Sequence, residues 1–449
     1  MPHPTRRQVL AAGCAAAVLP YLPFTALKPK RPPNIIHIFT DDLGYGDLGC
    51  YGQQHFPTPR LDRMAAEGMR FTNHYTSCPV CLPARCCLMT GRHNGRASMR
   101  YNQDKNKTLV DEMTIPRLLS GQGYATGGFG KWSLGLNDSP GAPLSQGFDH
   151  FYGYLHQSRA HSYYPEFLDD DRGIQELPGN AGGAQEQFSH ELIMQQGLSF
   201  IRAQAQRPFY AYFPITLPHN DFTVPDDELL ATARELCSDG DHDKLVYAAM
   251  VMRIDRDVGR ILDLLTELGI DDNTIVLFDS DNGPAFPSEI RYFNSAGGLR
   301  GRKRSLYEGG IRVPMVARWP GHVPAGVTSD YQSAGYDFLA TLAELSGAAA
   351  PTATDGISFA PNLLGQQQAQ PEYRYWQFAA RRNKPKGRQR AVRSGDWKLY
   401  RLDDAPAELY HLGEDAGETR NLATKHSDQV AKLDQIIDAN ISEEFLAGV

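Results

Sequence analysis

Apolar runs recur along the chain, separated by stretches with helical periodicity. Asn34-Ile35-Ile36-His37-Ile38-Phe39 is mostly apolar and β-branched, which predicts a buried strand. Pro208 to Phe213, Thr274 to Phe278 and the run from Met315 to the Pro320-Gly321 turn predict three more. Residues 57–75 read as a helix, a stop at Gly68 and a strand, and residues 186–204 as a helix. Val251, Ile254, Val258, Ile261, Leu265 and Leu268 recur at three-four spacing up to Gly269, which predicts one long core-facing helix over 241–268. Shorter helices are expected from Thr114 and from Tyr336 to Leu345. Such alternation of strands and helices defines an α/β chain. After about residue 368 the pattern changes: short strands at 373–378, 391–394, 397–401 and 408–412, with turns such as Ser394-Gly395-Asp396, precede a helix near 426–440.

Polar residues concentrate where the predicted strands end. The first runs into Thr40-Asp41-Asp42, and adjacent carboxylates there are costly to pack without a cation, although a solvated loop would also hold them. Oxygen-only ligands suggest Ca²⁺ or Mg²⁺. The strand from Thr274 runs into Asp279-Ser280-Asp281-Asn282-Gly283; oxygen donors again gather at a strand end, where open α/β sheets bind ligands, though Asp-Asn-Gly alone is a turn. Between these lies Cys81-Leu82-Pro83-Ala84-Arg85, continuing to Thr90-Gly91. Pro83 in a first turn and Gly91 as a stop predict a short helix over 83–90. Cys81 then sits at its N-terminus, where free N–H groups favour an anion, and Arg85 shares its face. A nucleophile and a fixed cation converging there suit attack on an anionic tetrahedral group; a buried structural cysteine is the plainer alternative.

With 449 residues the chain can bury a large core and form two domains. Its 41% hydrophobic and 22% charged residues fit a soluble globular protein, and a net charge of -7 argues against nucleic acid as the main partner. Seven cysteines are too few and too irregular for a disulfide scaffold and lack paired zinc spacing. Cys78 and Cys81 have redox-pair spacing, but Pro83-Ala84-Arg85 fits another pattern. Arg6-Arg7 before the apolar run Val9 to Phe24 reads as a Tat-like export signal cleaved near Ala26, giving a periplasmic or extracellular protein. Ala11-Ala12-Gly13-Cys14 is similar to a lipoprotein box without its usual leading Leu, which leaves lipid anchoring as an alternative. No other stretch is long and apolar enough to span a bilayer.

The Cys81, Pro83, Arg85, Thr90 and Gly91 pattern closely resembles the signature of the type I sulfatases of the alkaline-phosphatase-like superfamily, with Ala84 where that family usually has Ser or Thr. Similar segments follow in family order over nearly all of the chain after residue 33. The resemblance implies a large three-layer α/β/α domain with a mostly parallel central sheet over 34–368, and a small C-terminal antiparallel sheet with one helix over 369–449. It implies that a formylglycine-generating enzyme converts Cys81 to formylglycine. Asp41, Asp42, Asp281 and Asn282, with residue 81, would hold one divalent ion, Ca²⁺ in preference to Mg²⁺.

Gly130-Lys131-Trp132-Ser133-Leu134-Gly135 resembles the family segment whose Lys binds sulfate, with Ser133 where a His is common; the chain has Ala125 where a phosphate loop would need Gly. His161, with His156 as a weaker rival, is the expected substitute for that His. The Pro218-His219 step matches a His at the leaving group, and Lys303 matches a second sulfate-binding Lys. The implied reaction is hydrolysis of a sulfate ester on a carbohydrate or an aryl alcohol. The formylglycine hydrate attacks sulfur, Lys131, Lys303 and Arg85 stabilise the oxygens, His219 with Lys303 protonates the leaving alcohol, and His161 takes the final proton. Loops 98–112, 155–185 and 284–298 would shape the substrate pocket, with Tyr163, Tyr164, Phe286 and Tyr292 suited to sugar or aryl rings. The run Arg381, Arg382, Lys384, Lys386, Arg388, Arg390 is a solvated loop or a contact for sulfated polysaccharide. Two alternatives stand: a phosphonate monoester or phosphodiester hydrolase of the same superfamily, and a non-catalytic binder of sulfated glycans if Cys81 stays a thiol.

Overall fold

The computed structural model describes residues 31–102, 107–237, 240–349, 351–380, 387–403 and 405–442. The expected export signal and residues 381–386 of the basic run lie outside them. Five parallel strands form the centre of a ten-stranded sheet, in the order His150–Tyr154, Ala125–Lys131, Phe209–Pro214, Asn34–Thr40, Thr274–Ser280. Beyond Thr274–Ser280 lie antiparallel Met315–Arg318, then Met69–Phe71 and Val327–Ser329. At the other edge a hairpin, Phe167–Asp170 with Gly173–Glu176, extends the sheet from within the segment expected to be a substrate loop. The two strands hold four residues each, too short a run to stand out by alternation alone.

Side-chain alternation along Asn34–Thr40 divides the core. Ile35 and Phe39 join one apolar cluster, with the helices Cys81–Thr90 and Phe338–Ser346. Ile36 and Ile38 join the other, with Val251, Ile254, Val258, Ile261 and Leu265 of the long helix His242–Glu267. Helices therefore cover both faces, as the three-layer expectation required. A central strand buried on both sides accounts for its apolar run.

Register brings the polar loops together. Phe39 pairs with Asp279 and Thr40 with Ser280, so the two strands end level. Asp281 N then donates to Thr40 O at 3.0 Å, fastening one loop to the other. The helix Cys81–Thr90 starts two residues earlier than its proline suggested, is buried along its whole length, and stops at Gly91 with φ 67°, whose N–H bonds Cys87 O.

Strands Arg374–Ala380, Gly387–Ser394, Trp397–Leu402 and Glu408–His411 form a separate antiparallel sheet. Tyr375, Val392, Leu399 and Leu409 pack there against Leu433 and Ile437 of the helix Ser427–Asn440. This sheet is tied to the loops and short helices around the larger one by buried polar contacts: Trp376 Nε1 to Thr76 O at 2.8 Å, Arg374 to Asp337 at 2.6 Å, and Lys398 to Glu308 at 2.8 Å. Among the described residues no helix is long and apolar enough to cross a membrane.

Candidate active site

Asp41, Asp42, Asp281 and Asn282 converge at the C-terminal edge of the central strands, all at most 1% exposed. Asp42 adopts φ 67°, turning its backbone N–H towards Asp281 Oδ1 at 3.2 Å. Asn282 Nδ2 donates to Asp42 Oδ1 at 2.7 Å. Donor atoms of Asp41, Cys81 and Asp281 lie within 4.8 Å of one another, and so do those of Asp41, Asp42 and His219. Residues separated by some two hundred positions thus surround one point.

Three cations complete it. Arg85 Nη2 lies 2.8 Å from Asp281 Oδ2 and 3.3 Å from Asp41 Oδ2, and its Nη1 donates to Lys131 O at 3.1 Å. Arg85 therefore bridges the two carboxylates. Lys131 Nζ reaches Asp41 Oδ2 at 2.5 Å and Lys303 Nζ reaches Asp42 Oδ1 at 2.5 Å. Against the burial that would raise it, Lys131, His219 and Arg85 hold Asp41 well below the usual carboxylate range. Burial and the neighbouring Asp41 push Asp281 up to about 7.

The donor set fits a hard divalent cation. Asp41 Oδ1, Asp42 Oδ2 and Asn282 Oδ1 are buried with no hydrogen-bond partner in the protein. Buried oxygens left in this way carry a large desolvation cost, which a cation removes. An ion there would also favour the charged form of Asp281.

His219 and His161 stack face to face, their rings 4.0 Å apart at 18°. His219 Nε2 lies 3.5 Å from Asp42 Oδ2 and its Nδ1 is 2.5 Å from Asn220 O. Burial, then the cation Lys131, depress His161 to about 2. Ser133 is buried, with φ 68° and an Oγ that has no partner. The side chain that touches Cys81 is one no motif had singled out: Gln157 Nε2 donates to Cys81 Sγ at 3.0 Å. Asn102 Nδ2 stands 3.7 Å from the same sulfur. A lone amide in a loop carries no spacing signal, so neither residue was visible in the sequence.

Of the expected ring-stacking residues, Tyr163 is 1% exposed and its hydroxyl bonds Thr216 O at 3.0 Å and His219 O at 2.5 Å. It is a brace beneath His219 with no face free for a sugar. Phe286 is partly exposed and meets Phe222 edge-on at 5.0 Å, and Tyr292 lies under Lys244 Nζ at 4.6 Å. His156 Nδ1 accepts from Ser158 N at 3.2 Å.

This fold and cluster define a hydrolase site for an anionic ester. Comparison with known proteins identifies the family: the Sulfatase family model matches residues 33–348, and that of the N-sulphoglucosamine sulphohydrolase C-terminal region matches 301–444. The N-acetylgalactosamine-6-sulfatase of Canis lupus familiaris is 32% identical over 95% of this chain and 86% of its own. Human arylsulfatase A is 32% identical over 98% of this chain and 91% of its own. A sulfatase structure from the glycosaminoglycan-metabolising locus of Bacteroides thetaiotaomicron superposes with a TM-score of 0.78 at 26% identity, covering 91% of this chain and 99% of that one. The phosphonate monoester hydrolase of Agrobacterium radiobacter shares the fold, with a TM-score of 0.65 at 18% identity over 91% of this chain and 95% of that one. The chain belongs to the sulfatase family, within the alkaline-phosphatase-like superfamily, and is an enzyme of the type I class.

Proposed function

We propose that the protein removes sulfate from a sulfated saccharide, with aryl sulfates as the simpler substrates, using formylglycine made from Cys81 and a divalent ion, Ca²⁺ before Mg²⁺. The observation that carries this is the meeting of Cys81 with Asp41 and Asp281 inside one buried cluster. The carbohydrate assignment draws on the names of the relatives, several of which are sulfatases of sugar sulfates.

Asp41, Asp42, Asp281 and Asn282 would hold the ion, which when bound supplies Lewis acidity towards the ester and residue 81. Formylglycine, as its hydrate, supplies the nucleophilic hydroxyl and a route for later release of sulfate without attack by water on sulfur. Arg85 keeps Asp41 and Asp281 in place through its two short contacts. Lys131 and Lys303 each contact a different carboxylate and would bind the sulfate oxygens as charge shifts onto them in the transition state. His219, poised beside Asp42, would give its proton to the leaving alcohol, with Lys303 assisting. His161, stacked on His219, fixes that ring and would take the final proton after the alcohol has left. We assign catalysis to residues 34–368 and a supporting role to 369–449. The export signal and the formylglycine-generating enzyme belong to maturation before or during secretion.

A panel of sulfated saccharides, assayed for free sulfate with matured enzyme, tests the assignment. Paired aryl sulfate and phosphonate esters separate it from its superfamily alternative: sulfate release should dominate, and preferential cleavage of the phosphorus ester would contradict it.

A further inference from the structure

We propose that the carboxamide of Gln157 is a catalytic group that holds the reacting hydroxyls of residue 81; the proposal rests on the formylglycine reading above. Gln157 is 6% exposed, and its Nε2 donates to Cys81 Sγ at 3.0 Å. Its other polar atom, Oε1, is buried with no partner. The thiol accepts from Gln157 Nε2, and its single proton is directed to Asn102 Oδ1 at 4.0 Å, so nothing is left to meet Gln157 Oε1. An aldehyde hydrate at residue 81 carries two hydroxyls and can take the N–H and fill the vacant Oε1 together. A buried amide acceptor left unpaired costs free energy, so the geometry favours an oxygen-bearing residue 81 over the thiol.

The surroundings keep the amide in position. Ser133 N donates to Leu155 O at 3.2 Å, placing Ser133 beside the segment that leads to Gln157. The short Ser133 side chain has no partner of its own. Asn102 Oδ1 accepts from Leu82 N at 3.2 Å, which pins it to the start of the same helix. His161 is engaged with His219. An amide does not titrate near neutral pH, so Gln157 orients residue 81 and takes no proton from it.

The test compares the parent with Gln157→Met, which keeps bulk and removes both polar atoms. Each protein is produced with the formylglycine-generating enzyme, and the mass of the peptide containing residue 81 gives the converted fraction. The intact protein is then treated with a small aminooxy reagent, which condenses with free aldehyde, losing water, and not with the hydrate. If Gln157 holds the hydrate, capture per converted site is about five-fold faster in Gln157→Met, the worth of one hydrogen bond. The value of kcat falls about ten-fold or more, while KM stays within about two-fold, as expected when a transition-state contact is lost. Gln157→Ala should move both readouts the same way. A variant with a lowered melting temperature but the parental capture rate marks a packing role and overturns the proposal. Unchanged capture and kcat overturn it as well. A residue-81 peptide that keeps the mass of cysteine overturns the formylglycine reading and this proposal together, so the two failures are distinct.

Discussion

Lys131 and Lys303 each press a single charge against a different carboxylate, and neither is exposed beyond 6%. Removing either takes from a carboxylate its nearest cation and, on the proposed mechanism, from the substrate an oxyanion partner. Lys131→Ala and Lys303→Ala are each expected to lower kcat by about 10²-fold or more, checked by steady-state sulfate release on an aryl sulfate. Asp47 makes a different prediction. It is buried and accepts from Gly44 N at 2.7 Å and from the Tyr247 hydroxyl at 2.5 Å, and burial pushes it up to about 7. The folded protein therefore binds this proton more tightly than the unfolded chain. The stability it contributes is complete below its ordinary value and is lost as pH rises towards 7. Asp47→Asn mimics the protonated form. Its melting temperature should exceed the parent's at about pH 8, and the gap should close towards about pH 4; the opposite trend would show that the charged form is the one stabilised.

Elements set these residues within reach of each other. The metal-side loop after Thr274–Ser280 rests on the short helix Glu308–Ile311, where Gly283 N donates to Gly310 O at 3.1 Å. A Cβ at Gly283 would meet Gly309 O at 2.0 Å, and that atom is backbone. Gly283→Ala should cost about 1–3 kcal/mol of stability and weaken binding of an added divalent cation, read by thermal melts and calorimetry. At this scale the sequence was most informative where chemistry sat at strand ends. Asp41-Asp42 and Asp281-Asn282 were legible because polar donors interrupt long apolar runs in two places. The edge hairpin was not legible, since four-residue strands look like any loop. Tyr163 misled because an aromatic ring in a loop looks equally apt for a sugar and for a brace. Gln157 carried no pattern at all, and its contact with Cys81 depends on how the chain returns after His150–Tyr154.

For the whole molecule, the question is what couples the small sheet to the site. Lys398, on Trp397–Leu402, is fully buried between Glu308 at 2.8 Å and Glu418 at 2.9 Å. Against burial, Lys398 and Arg312 hold Glu308 down to about 2, while burial pushes Glu418 up to about 7. Glu308 opens the helix that backs the metal-side loop, so one route from the C-terminal sheet to the site runs through this ammonium. Lys398→Met should lose about 3–5 kcal/mol, because two buried carboxyl groups lose the ammonium between them; an unchanged urea midpoint would make the cluster incidental.

On the proposed mechanism, activity requires residue 81 as an aldehyde within this cluster. Preparations matured to different extents offer the direct measurement: free sulfate released per unit time against the fraction of residue 81 converted, read from its peptide mass. Release is expected to rise in proportion to conversion and to vanish where the thiol is intact. Release that is independent of conversion would contradict the account.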